Sequence, residues 1–175
     1  MATADHMDPV ELGHLLAALM PENRLALEIS LSTGLRISDV LGLRTEALKG
    51  ASDGRMTVRE LKTGKNRRIR VPDELRERAL RYAGRLYVFE HRYTREKHRT
   101  RQAVWKDLKR VAAAFRLKTN ITPHSARKAY AVEKYQQVGL KRLQGLLQHT
   151  DEAVTVLYAL ADELTARKRR KRSRP

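Results

Sequence analysis

Apolar residues at helical spacing open the chain. Leu12, Leu15, Leu16 and Leu19 share one helical face behind Asp8, Pro9 and Glu11, which supply a cap acceptor, a first-turn proline and a capping acid. This predicts a helix from Asp8 to about Met20. Pro21 starts a second one, whose Leu25, Leu27, Ile29 and Leu31 are apolar on several faces, as in a buried helix, and which ends near Gly34. Ile37, Val40, Leu41 and Leu43 make a third, short helix. The period then changes. Met56 and Val58 alternate with Thr57 and Arg59, and Ile69 and Val71 with Arg68 and Arg70, on either side of Lys62-Thr63-Gly64-Lys65-Asn66. That pattern predicts a β-hairpin with a basic tip. Pro72-Asp73-Glu74 starts another helix to about Ala83, and a loop rich in Arg, Lys, His and Tyr follows, with Leu86 to Phe89 as a short strand. Further helices are predicted from about Arg101 to Phe115, Pro123 to Val138, Leu140 to Gln148 and Glu152 to roughly Thr165. Helical spacing assigns Trp105 and Phe115 to the core. No internal repeat occurs, and the fold class is mainly α with a small antiparallel β-sheet, an α+β domain.

Charge narrows the partners. The 175 residues suit one domain, and 41% hydrophobic residues suffice for a core. Lys and Arg number 37 against 20 Asp and Glu, a net charge of +17. Seven of the basic residues fall between Thr165 and Pro175, and without them the balance is still ten positive. A basic body of this kind implies a polyanionic partner. No apolar run approaches a membrane span, and nucleic acid ranks ahead of a membrane surface because no lipid anchor or basic amphipathic segment stands out. The start does not read as a signal peptide, and the absence of cysteine excludes disulfides and thiolate chemistry and fits a cytoplasmic protein. Residues 1–7 read as a vector-derived remnant, 8–163 as the domain, and 164–175 as a basic tail that is disordered in isolation.

Four places carry candidate chemistry. In Thr33-Gly34-Leu35-Arg36-Ile37-Ser38-Asp39, an arginine follows a glycine break between apolar helices. Such an arginine is expected to be partly sequestered and oriented by Asp39 one turn on, the alternative being a surface ion pair. Lys62 at the hairpin tip can touch a phosphate or protonate a leaving oxygen, although many such lysines only solubilise an edge. In Thr122-Pro123-His124-Ser125-Ala126-Arg127, proline fixes a helix start, so His124 and Arg127 project from one face of the first turn, where free N–H groups also favour an anion. His149 and Tyr158 would stand on opposite faces of one continuous helix. Thr150 and Asp151 are N-cap types, however, so the chain is expected to break there and bring Tyr158 back beside the other groups. The bland alternative for Tyr158 is an amphipathic core position.

In this order and spacing, Thr33 to Asp39, the hairpin Lys62-Thr63-Gly64-Lys65, His124 to Arg127, and Leu146-Leu147-Gln148-His149 followed by Tyr158 resemble the catalytic domain of the tyrosine recombinases, also called phage integrases. The resemblance covers about Asp8 to Asp162. It implies the tyrosine recombinase catalytic-domain fold, double-stranded DNA as partner, and no cofactor or metal. It further implies that Arg36 and Arg127 clamp the scissile phosphate, with Asp39 supporting Arg36, and that Lys62 is the general acid on the 5′-oxygen. His124 then assists proton transfer, His149 hydrogen-bonds the phosphate and Tyr158 is the nucleophile, giving a 3′-phosphotyrosine. Two guanidinium forks can hold the non-bridging oxygens bidentately without a metal. Lys65, Arg67, Arg68, Arg99, Arg101 and Lys128 are expected to contact DNA.

The chain departs from the family pattern in places. Gln148 stands where the family usually has Gly, and Lys128 where it often has His. The hairpin is longer than usual, which leaves Lys65 as a rival to Lys62. The helical DNA-clamping domain that normally precedes this one has no counterpart in these residues, so an excised, monomeric catalytic domain is expected, the alternative being a naturally minimal recombinase, with weak, salt-sensitive DNA binding. In the full-length protein, self-association as a tetrameric synapse on DNA is expected. Rival readings are type IB topoisomerase-like relaxation, a non-catalytic DNA-binding module of the same fold, and a metal-independent ribonuclease using His124, His149 and Lys62.

Overall fold

The structure, a computed structural model of the chain, describes residues 9–117 and 120–147. In chain order it runs α1 (Pro9–Ala18), α2 (Pro21–Thr33), α3 (Ile37–Leu41), α4 (Thr45–Gly50), β1 (Arg55–Arg59), β2 (Asn66–Arg70), α5 (Asp73–Tyr82), α6 (Arg101–Ala114) and α7 (Pro123–Leu147). The expected α+β class holds. Expectations for Asp8, His149, Tyr158, a helix over 152–165, the first seven residues and the basic tail lie outside the described residues.

α2 is the hub, packing against α3, α5 and α7. Its Leu25, Ala26, Leu27 and Ile29 are all buried, as a helix apolar on several faces requires. β1 and β2 pair antiparallel, with Met56 opposite Ile69 and Val58 opposite Arg67. One face of this ribbon, carrying Val58, Arg67 and Ile69, is buried, and the other, carrying Arg55, Thr57, Arg59, Arg68 and Arg70, is exposed. α7 covers the two helices expected over 123–138 and 140–148, merged across a kink at Gly139, whose φ of 74° only glycine adopts readily.

Three expectations give way. Residues 86–89 do not form a strand; the loop makes the single bridges Arg44 to Tyr87 and Glu90 to His98, and its backbone bonds are divided between two short flanks, Thr45 N donating to Leu86 O and Val88 N to Leu43 O on one side and Arg99 N to Phe89 O on the other. Trp105 and Phe115 are not core residues, being 44% and 48% exposed. The buried stripe of α6 is Val104, Asp107, Leu108, Val111 and Ala112, and Trp105 lies about 100° round from Val104. Lys109 instead places its ammonium 5.9 Å from the Trp105 ring. α4 had no expected counterpart, since Leu48 is its one large apolar anchor and sets no period.

Asp107 explains how α2 begins. Met20 provides no side-chain cap there, and Asp107 of α6 accepts from the Met20 amide at 2.8 Å and from Asn23 Nδ2 at 2.7 Å. Its other oxygen takes Arg110 Nη2 at 2.7 Å. Burial opposes ionisation of this carboxyl, but the donors outweigh it and hold the pKa below its ordinary value. A carboxyl depressed on folding stabilises the fold above its unfolded pKa, and that contribution disappears as pH falls. Asp107→Ala is expected to lower urea stability at neutral pH by about 3 kcal/mol. The gap between variant and unsubstituted chain should narrow below roughly pH 4.

Candidate active site

The turn that presents Arg36 is locked by short polar bonds. Thr33 Oγ1 donates to Ile29 O at 2.7 Å, Gly34 N to Ser30 O at 2.8 Å, and Ser30 Oγ to Leu35 O at 2.7 Å. Gly34 ends α2 in the left-handed region at φ 68°, and a Cβ there would stand 2.4 Å from the Tyr130 ring. Both facts demand glycine. Arg36 then caps α3 with its backbone extended and its side chain turned inward, 4% exposed.

Inside, Arg36 meets two carboxyl groups. Its Nη1 lies 2.9 Å from Glu60 Oε2 and 3.9 Å from Asp39 Oδ2, while Asp39 Oδ1 accepts from the Leu61 amide at 2.8 Å. Glu60, which sequence reading missed, is 0% exposed and takes a second hydrogen bond from Thr63 Oγ1 at 2.9 Å. A signal for it existed. Met56, Val58 and Glu60 share strand parity, so the acid continues the inward face.

Arg67 corrects an expectation. It was expected among the DNA contacts, yet it is 4% exposed, with Nη2 donating to Thr33 O at 2.7 Å, Nη1 to Gly34 O at 3.1 Å, and Glu60 Oε1 3.6 Å away. The reason is parity again, since Arg67 sits with Ile69 and Val71 on the buried side. Arg99 is half-buried, its Nε donating to Asn23 Oδ1 at 2.7 Å. Arg68, Arg101, Lys62 and Lys65 are exposed, and Lys128 is half-buried.

Arg127 arrives from α7. At the helix start the Thr122 amide donates to Ser125 Oγ and the Ser125 amide to Thr122 O, which fixes the first turn with His124 exposed and Arg127 6% exposed. Arg127 Nη2 donates to Leu147 O at 3.3 Å, joining the two ends of α7 across the Gly139 kink. The field of Arg127 reaches Asp39, Glu60 and Tyr130, which places it with the Arg36 group.

The carboxyl groups are driven apart. Burial pushes Asp39 above its ordinary value, and the neighbouring Glu60 charge adds to this against the Leu61 amide, Arg36 and Arg127. Burial also opposes ionisation of Glu60, but the hydrogen bonds from Arg36 and Thr63, with the charges of Arg36 and Arg127, outweigh it and hold it low. Burial raises the Tyr130 phenol against Arg67 and Arg127. Among the described residues three guanidinium groups thus face two carboxyl groups, a local balance suited to one phosphodiester. Among the described residues no three His, Asp or Glu side chains gather as metal ligands.

A sequence profile described as the phage integrase family matches residues 6–164. Tyrosine recombinase XerD of Lacticaseibacillus casei is 30% identical over 180 residues, covering 89% of this chain and 59% of that protein. Tyrosine recombinase XerA of Pyrococcus furiosus is 30% identical over 144 residues, or 78% of this chain and 49% of the relative. The chain therefore spans about half to three-fifths of these relatives. Among solved structures, a lambda integrase dimer bound to a COC' core site superposes with a TM-score of 0.72 at 20% identity, covering 89% of this chain and 60% of that one. A lambda integrase tetramer bound to a Holliday junction gives 0.70 at 20% identity, over 89% of this chain and 48% of that one.

Proposed function

The chain belongs to the phage integrase family, the family of the tyrosine recombinases, and from that premise we propose that it is the catalytic domain of a site-specific DNA recombinase. Its fold is that of the family's catalytic domains. The substrate is duplex DNA and the reaction is strand cleavage and rejoining. The observation that carries this reading is the burial of Arg36 and Arg127, from distant parts of the chain, in one cluster with Asp39 and Glu60.

The Tyr158 oxygen attacks the scissile phosphorus as its phenolic proton passes to His124, the bond from phosphorus to the 5′-oxygen breaks, and that oxygen leaves with a proton from Lys62, or from its neighbour Lys65. The products are a 3′-phosphotyrosine and a 5′-hydroxyl, and attack by a second 5′-hydroxyl reverses the step on a new partner. Arg36 and Arg127 neutralise charge growing on the non-bridging oxygens. His149 hydrogen-bonds the same phosphate, and His124 assists proton transfer. Arg68, Arg101 and Lys128 grip the DNA backbone, so binding weakens steeply with salt. Like the lambda integrase assemblies on DNA, the whole protein works as a multimer on its site, in the cytoplasm.

The test is a nicked duplex, or one with a 5′-bridging phosphorothiolate, incubated with the 175-residue chain and run on a denaturing gel. A covalent protein–DNA band is expected, and its absence would sink the reading. Recombined duplexes, rather than relaxed circles alone, distinguish a recombinase from a type IB topoisomerase.

A further inference from the structure

Glu60 and Arg67 are fully enclosed, yet neither is among the groups assigned to the reaction. Glu60 Oε2 accepts from Arg36 Nη1 and from Thr63 Oγ1, both at 2.9 Å. One carboxylate oxygen therefore joins the arginine that holds the phosphate to the residue next to Lys62. The hairpin closes on the same residue, with Glu60 N donating to Lys65 O at 2.9 Å and Gly64 N to Glu60 O at 2.8 Å. On its other side Glu60 Oε1 faces Arg67 at 3.6 Å, and Arg67 forks across the carbonyls of Thr33 and Gly34, the last turn before Arg36. A cation on the closing carbonyls of α2 also suits the helix dipole.

The geometry points to Glu60 and Arg67 as positioning residues for phosphodiester cleavage: Glu60 sets Arg36 and the Lys62 loop relative to each other, and Arg67 holds the turn from which Arg36 projects. This rests on the recombinase reading and deepens it. Two features beyond burial support the assignment. A carboxylate removed from water is costly unless paired, so its retention between Arg36 at 2.9 Å and Arg67 at 3.6 Å fits a role in placing those arginines. Arg67 is also denied to DNA by its own bonds, while Arg68 beside it faces solvent. The two neighbours therefore divide the work, Arg67 acting through Arg36 and Arg68 on the duplex. Glu60 acts by keeping an arginine fork and a general acid in register, where a displacement of about 1 Å can cost on the order of 100-fold in rate.

Single-turnover cleavage of an ordinary nicked duplex by Glu60→Gln, at saturating DNA, is expected to be roughly 10- to 100-fold slower than wild type with the half-saturating DNA concentration unchanged. On a 5′-bridging phosphorothiolate duplex, whose sulfur leaves without a general acid, the defect is expected to shrink several-fold, because the Lys62 part of the misplacement no longer matters. Equal defects on both substrates, or no defect, would overturn the assignment, as would a slow rate that merely tracks lost helical ellipticity. Should Glu60→Gln not fold, Arg67→Lys decides. It keeps the charge but not the two-carbonyl fork, and is expected to slow cleavage at saturating DNA with half-saturation unchanged. A raised half-saturation with the saturating rate intact would make Arg67 a DNA contact and end the proposal. Failure of the wild type to form any adduct would instead count against the recombinase reading itself.

Discussion

Tyr158→Phe is expected to leave no covalent protein–DNA adduct under conditions in which the wild type accumulates one on a nicked duplex. A phenol has a pKa near 10, so little phenolate exists at neutral pH, and it becomes an effective nucleophile only beside a cationic, proton-accepting site. Under the proposed mechanism, removing the oxygen removes the atom that bonds to phosphorus. The chain holds six tyrosines, so the assignment needs a control. Tyr130 is the competitor to exclude, because it lies with Arg67 and Arg127. Its ring is buried against Gly34 and its phenol is raised by burial, which makes it a weaker nucleophile than a free tyrosine. Tyr130→Phe should therefore still form the adduct. An adduct with Tyr158→Phe that vanished with Tyr130→Phe would reverse the assignment and require a different geometry of attack.

Local signals carried most of the architecture, because helix starts at Pro21 and Pro123, the left-handed end at Gly34 and the alternation on either side of Lys62 each fix backbone conformation within a few residues. What stayed hidden depended on contacts between distant segments. Trp105 has helical spacing that suits a core, but which of two adjacent residues faces inward is decided by where α1, α3 and α7 lie against α6. Parity could have shown that Arg67 points inward with Ile69. A basic residue on a basic hairpin nevertheless reads as a DNA contact until the carbonyls of Thr33 and Gly34 and the acid of Glu60 are seen to receive it. Arg36 and Asp39 were legible as a pair because they are one helical turn apart; parity could have turned Glu60 inward, but not shown that its partner is Arg36, which comes from another element.

Arg127→Ala is expected to lower the cleavage rate by on the order of 10²- to 10³-fold, the cost typical of losing one preorganised donor to a developing oxyanion. Its buried position means that it also carries structure. Its bond to Leu147 O ties the far end of α7 back to the first turn, and Leu147 stands two residues before His149 in sequence. The alanine variant also removes one of the cations that keep Glu60 ionised. Some loss of thermal stability is therefore expected, and activity alone would not separate chemistry from folding. Arg127→Lys makes the separation. It preserves a positive charge near Asp39 and Glu60 but offers a point charge in place of a planar fork. Its melting temperature and helical circular dichroism should stay close to wild type while single-turnover cleavage falls by on the order of 100-fold. Wild-type cleavage by Arg127→Lys would show that charge without bidentate geometry suffices, and Arg127 would then be a source of field rather than a clamp on the phosphate.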